Sequence, residues 1–270
     1  MSNFIKYLIL AIIQGLLEWL PVSSEGFIVL TAINGLKIES IEIALRIAIY
    51  FHLGTALAVT IRYRQLYWNA ITKDKEIFRF LLLSTLATGI VGIPLYLLLT
   101  SLTQIFTDLT GLIVTLIIGI LLIITATLLH FGKLRGSDQY NMENRTIKDE
   151  IFLGICQGFA ILPGISRSGT TTTFLILRGY KKEDAFHMSF IISLPAVLGA
   201  VAFDIIRIYF GSDPSIGLPF EWWFLILLII TAIIGLISME SLLKIAHKWS
   251  FDKICYFLGG ITIILVIILL

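Results

Sequence analysis

Apolar residues fill long uninterrupted stretches of the chain, and polar residues are confined to short segments between them. About 20 consecutive apolar residues let a helix cross the hydrocarbon core of a bilayer. Only 14% of the 270 residues are charged and 57% are hydrophobic, whereas about a quarter of a soluble domain is charged. We therefore predict an all-α integral membrane protein with six transmembrane helices, at residues 41–61, 77–100, 112–131, 184–207, 219–239 and 252–270.

Two further apolar segments are interrupted in the middle. Residues 4–36 contain the sequence Pro-Val-Ser-Ser-Glu-Gly at 21–26, and residues 151–178 contain Pro-Gly-Ile-Ser-Arg-Ser-Gly at 163–169. Proline removes a backbone donor and glycine loosens a helix. Each segment is therefore predicted to form two half-helices around a turn, as in a re-entrant helical hairpin.

The two interruptions resemble each other at a fixed offset. Four pairs of positions lie 143 residues apart: Gln14-Gly15 with Gln157-Gly158, Ser23 with Ser166, and Gly26 with Gly169. Three unbroken spans follow each copy, and a tandem unit with an odd number of crossings must be inverted in the membrane. We predict one membrane domain, residues 1–270, in which inverted repeats at 4–131 and 151–270 are joined by a cytoplasmic linker at 132–150.

The distribution of positive charge indicates the orientation. If both broken segments are re-entrant, the loops at 62–79, 132–150, 178–184 and 240–253 share one side and hold 15 Lys and Arg residues, against 3 on the other side. This asymmetry follows the positive-inside rule and predicts a multi-pass plasma-membrane protein with both termini outside. Eight ordinary helices with two kinks remain the alternative. The net charge of +2 gives no basic footprint for nucleic acid.

Arg167 lies in the second interruption, at a depth where an unpaired charge is costly. A guanidinium binds phosphate oxygens bidentately, and the half-helix expected to begin at Gly169 offers free N–H groups to an anion. Alternatively, the hydroxyls here cap a helix and Arg167 forms a structural ion pair. The residues predicted to bind a phosphate are Gly164, Ser166, Arg167, Ser168, Gly169, Thr170 and Thr171.

Glu18 and Glu25 are the acidic residues that the repeat places near this guanidinium, and two acids facing one arginine indicate a second cation or access for water. Gln14 and Glu18 share a helical face, where they either contribute to a site or line a polar seam between helices. Glu18 is a candidate general base or metal ligand, and Ser24 is a nucleophile only if such a base activates it. His52 lies in the middle of a predicted span and is a further candidate.

Two motifs in these segments resemble those of the undecaprenyl-diphosphate phosphatases of the bacitracin-resistance type. Residues 163–171, Pro-Gly-Ile-Ser-Arg-Ser-Gly-Thr-Thr, fit the PGxSRSxxT motif of that family. Residues 14–18, Gln-Gly-Leu-Leu-Glu, fit its (E/Q)xxxE motif, and residues 18–24 fit the turn that follows. The resemblance extends over most of the chain, in the same order and at similar spacing.

The resemblance implies that a long polyprenyl diphosphate, of the undecaprenyl or dolichyl type, is hydrolysed to the monophosphate, which recycles the lipid carrier of envelope glycans. It also implies an inverted-repeat fold with paired re-entrant hairpins, a homodimer, and dependence on Mg²⁺ or Ca²⁺. By position, Glu18, Ser24 and Arg167 correspond to catalytic residues of the family. The matches to its phosphate-binding hydroxyls are Ser23, Ser166, Ser168 and Thr171.

One departure from the family pattern concerns proton transfer. Where the family commonly has Ser-Ser-Thr-Gly-His, residues 23–27 of this chain are Ser-Ser-Glu-Gly-Phe. We expect Glu25, together with His52, to replace the family histidine, and Glu18 and Glu25 to bind the metal. Reduced phosphatase activity is the other outcome. The inverted repeat is also consistent with an alternative function, that of a polyprenyl-phosphate flippase whose hairpins act as gates.

Overall fold

The computed structural model describes residues 3–38, 41–105, 110–135, 138–210, 222–245 and 251–269, which are helical apart from short connections. The helices are α1 Asn3–Leu17, α2 Ser24–Leu30, α3 Ile41–Arg62, α4 Arg64–Thr72, α5 Lys75–Ile105, α6 Thr110–Arg135, α7 Ile147–Gly158, α8 Arg167–Leu177, α9 Lys182–Ile191, α10 Ser193–Phe210, α11 Trp222–Ile245 and α12 Phe251–Leu269. A π-helical turn, Thr31–Gly35, extends α2.

Six helical segments in this part of the chain are long and apolar enough to cross a membrane, which confirms the predicted all-α multi-pass fold. They are Glu42–Arg62, Lys75–Ser101, Leu112–Gly132, Lys182–Phe210, Trp222–Lys244 and Phe251–Ile268. Each agrees with a predicted span to within a few residues, apart from predicted residues 219–221 and 270, which lie outside the described ranges. The fourth segment divides into α9 and α10, because Pro195 lacks the backbone donor of a helix interior.

Both interrupted segments form two half-helices around a turn. Helix α2 follows α1 and begins at Ser24, and α8 follows α7 and begins at Arg167. Serine caps the second half-helix in each case: the Ser23 hydroxyl accepts from the Gly26 amide, and the Ser166 hydroxyl accepts from the Gly169 amide. This capping starts α8 two residues before the predicted start at Gly169.

The contacts between helices repeat with the 143-residue offset found in the sequence. Helix α1 packs against α11, and α7 packs against α5. In the first pair, the Thr231 hydroxyl donates to the Ala11 carbonyl at 3.2 Å. In the second pair, the Thr88 hydroxyl donates to the Gly154 carbonyl at 3.0 Å. These matched contacts support a structural repeat, while the inverted orientation and the re-entrant course of the hairpins stay predictions.

The tips of the two hairpins contact each other directly. The Ser23 hydroxyl accepts a second hydrogen bond, from the Gly164 amide at 3.0 Å. Gly26 lies so close that a Cβ atom there would approach the Gly164 nitrogen to 3.0 Å. Gly164 has a φ of 111° and Ser23 a φ of 60°, a region that is uncommon for residues other than glycine. The tips therefore meet through backbone, and this contact fixes the side chains next to them.

Two large apolar clusters pack around the hairpins, toward opposite ends of α11. Phe224, near the start of α11, packs in a cluster with Phe51. Met239, near its end, packs in a cluster with Trp19 and Phe190. Because these side chains are almost fully buried, they hold the tips in a fixed position between the spans.

Asp149, in the first turn of α7, joins the linker before α7 to the end of α8. Its carboxylate accepts hydrogen bonds from Arg178 Nε at 2.7 Å, the Tyr180 hydroxyl at 2.9 Å and the Thr146 hydroxyl at 2.8 Å. Burial alone would raise the pKa of Asp149, but the hydrogen bonds from Arg178 and Thr146 hold this pKa below its ordinary value of 3.8.

Replacing Asp149 with asparagine should lower the free energy of unfolding by about 2 kcal/mol, because hydrogen bonds to a charged group are lost. Thermal unfolding in detergent measures the change, and Glu143→Gln, at an exposed position of the same linker, is the matched control. Since the pKa of Asp149 is lowered in the folded state, its contribution is present at neutral pH and is lost as the pH falls below the ordinary Asp value. Equal stability of the two variants at neutral pH would contradict this role.

Candidate active site

Glu18 and Arg167 form an ion pair between the two hairpins. Arg167, the first residue of α8, places Nη2 2.5 Å from Oε1 of Glu18, which follows α1. Its Nη1 donates to the Ser189 carbonyl at 3.1 Å, and the guanidinium lies 5.5 Å from the ring of Trp19. Both partners of the ion pair are largely buried. The hairpins therefore bring together the carboxylate and the guanidinium that the sequence placed 149 residues apart.

The other oxygen of Glu18 accepts hydrogen bonds from three side chains. Gln14 Nε2 and the Ser24 hydroxyl each lie 2.7 Å from Oε2, and His52 Nε2 lies 3.2 Å away. Gln14 reaches Glu18 because the two residues are four apart at the end of α1. With its carboxylate next to a serine hydroxyl, Glu18 can accept the proton of Ser24.

His52 fits the first of the two alternatives for this site, a second cation or access for water. Its Nδ1 lies 2.6 Å from the carbonyl oxygen of Ala48, one turn earlier in α3. Its Nε2 faces the Glu18 carboxylate. Both ring nitrogens thus face acceptors, an arrangement that is satisfied when both carry a hydrogen and the imidazole is positively charged. Within the described residues, the site then holds two cations, Arg167 and His52, and two acids, Glu18 and Glu25.

Glu25, in the first turn of α2, is buried, and no hydrogen bond or ion pair to its carboxylate is found among the described residues. It lines the same cavity as Glu18. No group of three or more His, Cys, Asp or Glu side chains suited to a metal occurs in the described ranges. Two carboxylates still fit Mg²⁺, which commonly binds one or two carboxylates together with water and substrate phosphates. Glu25, with Glu18, is therefore the available donor set.

A cavity of about 240 Å³ opens onto these four charged side chains. A small polar recess adjoins it, and the hydroxyls of Ser23, Ser24 and Ser166 line this recess together with Arg167. The rest of the larger cavity is mostly apolar and runs between α5 and α10. The site thus combines a charged end and an apolar extension, as a lipid with a charged headgroup requires.

Several predicted phosphate-binding hydroxyls do not line the cavity or the recess. The Ser168 hydroxyl donates to the Leu20 carbonyl at 2.9 Å. The Thr171 and Ser189 hydroxyls lie 2.7 Å apart, and the Thr170 hydroxyl donates to the carbonyl one turn earlier in α8. These side chains hold the second hairpin in place and fit the alternative in which hydroxyls stabilise a helix start.

The predicted cradle of free backbone amides is also largely occupied. The Gly164 amide donates to Ser23, and the Gly169 amide donates to Ser166. The Ser166 amide donates to the Thr125 hydroxyl at 3.2 Å. Because these amides already have protein partners, side chains rather than Gly164 and Gly169 are the main donors for a phosphate at this site.

Three residues near the site were not predicted as members of it. Trp19 packs against the Arg167 guanidinium, and Ser189 accepts a hydrogen bond from it. Gln157 lines the cavity and donates to the Thr88 hydroxyl at 3.0 Å. Gln157 had a signal in the sequence, because it lies 143 positions after Gln14, and Trp19 lies within the motif at 18–24. Ser189 had none, because its contact with Arg167 depends on tertiary packing.

Comparisons with known proteins show the family of this chain. Residues 7–264 match the family model described as bacitracin resistance protein BacA. A protein named undecaprenyl-diphosphatase from Methanothrix thermoacetophila is 42% identical, and the alignment covers 97% of this chain and 96% of that protein. Proteins of the same name from Methanopyrus kandleri (34% identical, 94% and 92% covered) and Haloarcula marismortui (31% identical, 98% and 97% covered) are also similar. The chain belongs to the BacA family.

Proposed function

We propose that this protein hydrolyses a long-chain polyprenyl diphosphate, of the undecaprenyl or dolichyl type, to the monophosphate and inorganic phosphate. The observation that carries the proposal is the contact of Glu18 with both Arg167 and Ser24 at the charged end of an otherwise apolar cavity. The names of the relatives support the same reaction. They do not support the flippase alternative. The product would return to the cycle of lipid carriers that build envelope glycans.

Arg167 is the proposed anchor of the terminal phosphoryl group. Two of its N–H groups bind Glu18 and Ser189, and a guanidinium has five donors, so others are available to phosphate oxygens. Positioning and charge neutralisation provide most of the catalysis in phosphoryl transfer. His52 adds a second positive charge at the same end of the cavity.

Ser24 is the proposed nucleophile, with Glu18 as its base. Glu18 takes the proton of the Ser24 hydroxyl, Oγ bonds to the terminal phosphorus, and the bond from that phosphorus to the bridging oxygen breaks. Polyprenyl monophosphate leaves, with His52 positioned to neutralise the charge that develops. Water then releases phosphate from Ser24. A water molecule activated by Glu18 is the one-step form of the same reaction.

Glu25 and Glu18 are the proposed ligands of a divalent cation, Mg²⁺ or Ca²⁺. When bound, such a cation supplies further charge neutralisation at the diphosphate. Support comes from the buried Glu25 carboxylate beside the site, which has no hydrogen bond or ion pair within the described part of the chain. Glu25 stands at the position of the family threonine, and Phe27 stands at the position of the family histidine. Phenylalanine cannot bind a metal, so Glu25 takes this role.

The remaining proposals concern the assembly. We propose that the protein lies in the plasma membrane with both termini outside, as the asymmetry of Lys and Arg predicts. The proposed assembly is a homodimer, as the family resemblance implies. The matched contacts of α1 with α11 and α7 with α5 support a structural repeat between residues 4–131 and 151–270. The inverted orientation of the repeats and the re-entrant hairpins at 4–36 and 151–178 belong to the proposal.

Phosphate release by the purified protein in detergent tests the proposed function. We expect release from undecaprenyl or dolichyl diphosphate without any membrane gradient, and loss of release after chelation that Mg²⁺ or Ca²⁺ restores. The same assay with farnesyl diphosphate measures the dependence on chain length. Absence of release from all three lipids, with either cation, would contradict a phosphatase and favour a transporter.

A further inference from the structure

The apolar part of the cavity has a wall of small residues. Between α5 and α10 the lining includes Gly89, Gly92, Ala196, Gly199 and Ala200. Helix α5 is the least buried of the six membrane-spanning segments, so this side of the cavity adjoins lipid. The wall is continuous with the end that holds Glu18 and Arg167, but it carries no group that binds phosphate.

Two of the glycines in this wall, Gly89 and Gly199, are not required for helix packing. A Cβ atom at Gly199 would meet no atom within 4 Å, and one at Gly89 would meet only Ile93 Cδ1 at 3.9 Å. In contrast, a Cβ atom at Gly15 or Gly158, where helices are in contact, would approach side-chain carbons to 2.8 Å and 2.7 Å. Glycine weakens a helix relative to alanine, and at Gly89 and Gly199 the absent side chain leaves open space instead of a tight contact.

The aromatic side chains of Tyr96 and Phe203 line the cavity at the C-terminal end of its α5 and α10 walls. The Tyr96 hydroxyl donates to Asp204 Oδ1 at 2.8 Å, and the Tyr96 ring lies 6.1 Å from the Phe203 ring in an edge-on arrangement. Asp204 is fully buried and also accepts from the Tyr50 hydroxyl. These contacts join α3, α5 and α10 at this end, and the cavity between α5 and α10 offers a chain a lateral path from the charged end.

We propose that the first isoprene units of the substrate lie in this part of the cavity, and that Gly89 and Gly199 admit the methyl-branched chain between α5 and α10. The inference rests on the proposed function, because a diphosphate held at Arg167 fixes where the chain begins. Apolar walls match the hydrocarbon, and the lipid-facing position of α5 lets the rest of the tail continue into the bilayer. The residue size at 199 and 89 therefore determines which chains are accepted.

Substitution of Gly199 by alanine, leucine and phenylalanine tests this inference. Gly199→Leu should reduce kcat/KM for farnesyl and undecaprenyl diphosphates about tenfold or more, since a hydrophobic pocket discriminates by roughly 10–200-fold per methylene. Gly199→Ala should have a smaller effect and Gly199→Phe a larger one, and Gly89→Leu should behave like Gly199→Leu. The matched control is Gly260→Leu in α12, where a Cβ atom also meets nothing within 4 Å.

The wild-type protein and the variants test different claims. Lack of phosphate release by the wild-type protein would overturn the proposed function, and this inference with it. With an active wild-type protein, full activity of Gly199→Leu on both prenyl diphosphates, or equal losses in Gly199→Leu and Gly260→Leu, would overturn the inference alone. Size-exclusion elution and thermal unfolding show whether the variants are folded, and a graded loss from alanine to phenylalanine in folded protein supports the proposed chain path.

Discussion

Replacing Glu18 with glutamine should reduce phosphate release from a polyprenyl diphosphate by roughly 10²–10⁴-fold, the range expected when a general base is lost. Glu18 accepts four hydrogen bonds, from Arg167, Gln14, Ser24 and His52. A glutamine of the same shape keeps only one acceptor oxygen and cannot take the Ser24 proton. Single-turnover measurement of phosphate release determines whether the chemical step is the step that slows.

Glu240→Gln provides the matched control for Glu18→Gln. Glu240 lies on α11 and pairs with Arg62 at a position where both side chains are partly exposed, far from the hairpin tips in the sequence. We expect wild-type rates for this variant, because exposed ion pairs contribute little to stability. Near-normal turnover of folded Glu18→Gln protein would refute the role of Glu18 as base.

Replacing Arg167 with lysine should reduce kcat/KM by about 10²–10³-fold, because lysine keeps the charge but loses the planar fork that binds two phosphate oxygens. Lysine also cannot bind Glu18 and the Ser189 carbonyl with the same geometry, and it loses the stacking on Trp19. Kinetics on undecaprenyl diphosphate, with the protein checked by thermal unfolding, measure the effect.

The lysine variant is preferred to Arg167→Ala, which would leave Glu18 without its closest cation and cost about 3–5 kcal/mol of stability. Arg62→Lys, at the partly exposed ion pair with Glu240, is the matched control and should retain activity. If Arg167→Lys and Arg62→Lys show the same kcat/KM, Arg167 does not anchor the phosphoryl group.

The membrane-spanning helices could be predicted because the requirement for about 20 apolar residues is local. The pairing of Glu18 with Arg167 could be inferred from an internal repeat, since the offset of 143 residues places the two interruptions in equivalent positions. The pairing also follows from charge, because a buried guanidinium needs an anion and the first hairpin contains carboxylates.

The sequence could not predict which hydroxyls line the site and which bind other protein groups. This depends on how α8 is rotated and on what packs against it. Ser166 lines the polar recess, whereas Ser168 contacts the Leu20 carbonyl and Thr171 contacts Ser189. Ser23 caps α2 and also binds the Gly164 amide. These contacts join residues more than 140 positions apart, or helices whose rotation is set by the whole bundle, and a sequence motif does not record them.

The cavity wall illustrates the same limit. Gly89 and Gly199 lie in apolar spans outside the motifs, whereas Gly15 and Gly158 belong to the repeated Gln-Gly pair. The sequence does not show that Gly15 and Gly158 meet tight helix contacts and that Gly89 and Gly199 do not. Only the relative positions of α5 and α10 show that Gly89 and Gly199 border open space. The proposed path of the lipid chain therefore depends on packing between spans.

A double-mutant cycle of Glu18→Gln and Arg167→Lys tests most directly whether the two hairpins form one catalytic site. Residues that act as a unit show strongly non-additive losses in rate. We predict that the double variant releases phosphate from undecaprenyl diphosphate within about threefold of the slower single variant. Losses that multiply across the cycle would show that Glu18 and Arg167 act independently, and would contradict a site built from their contact.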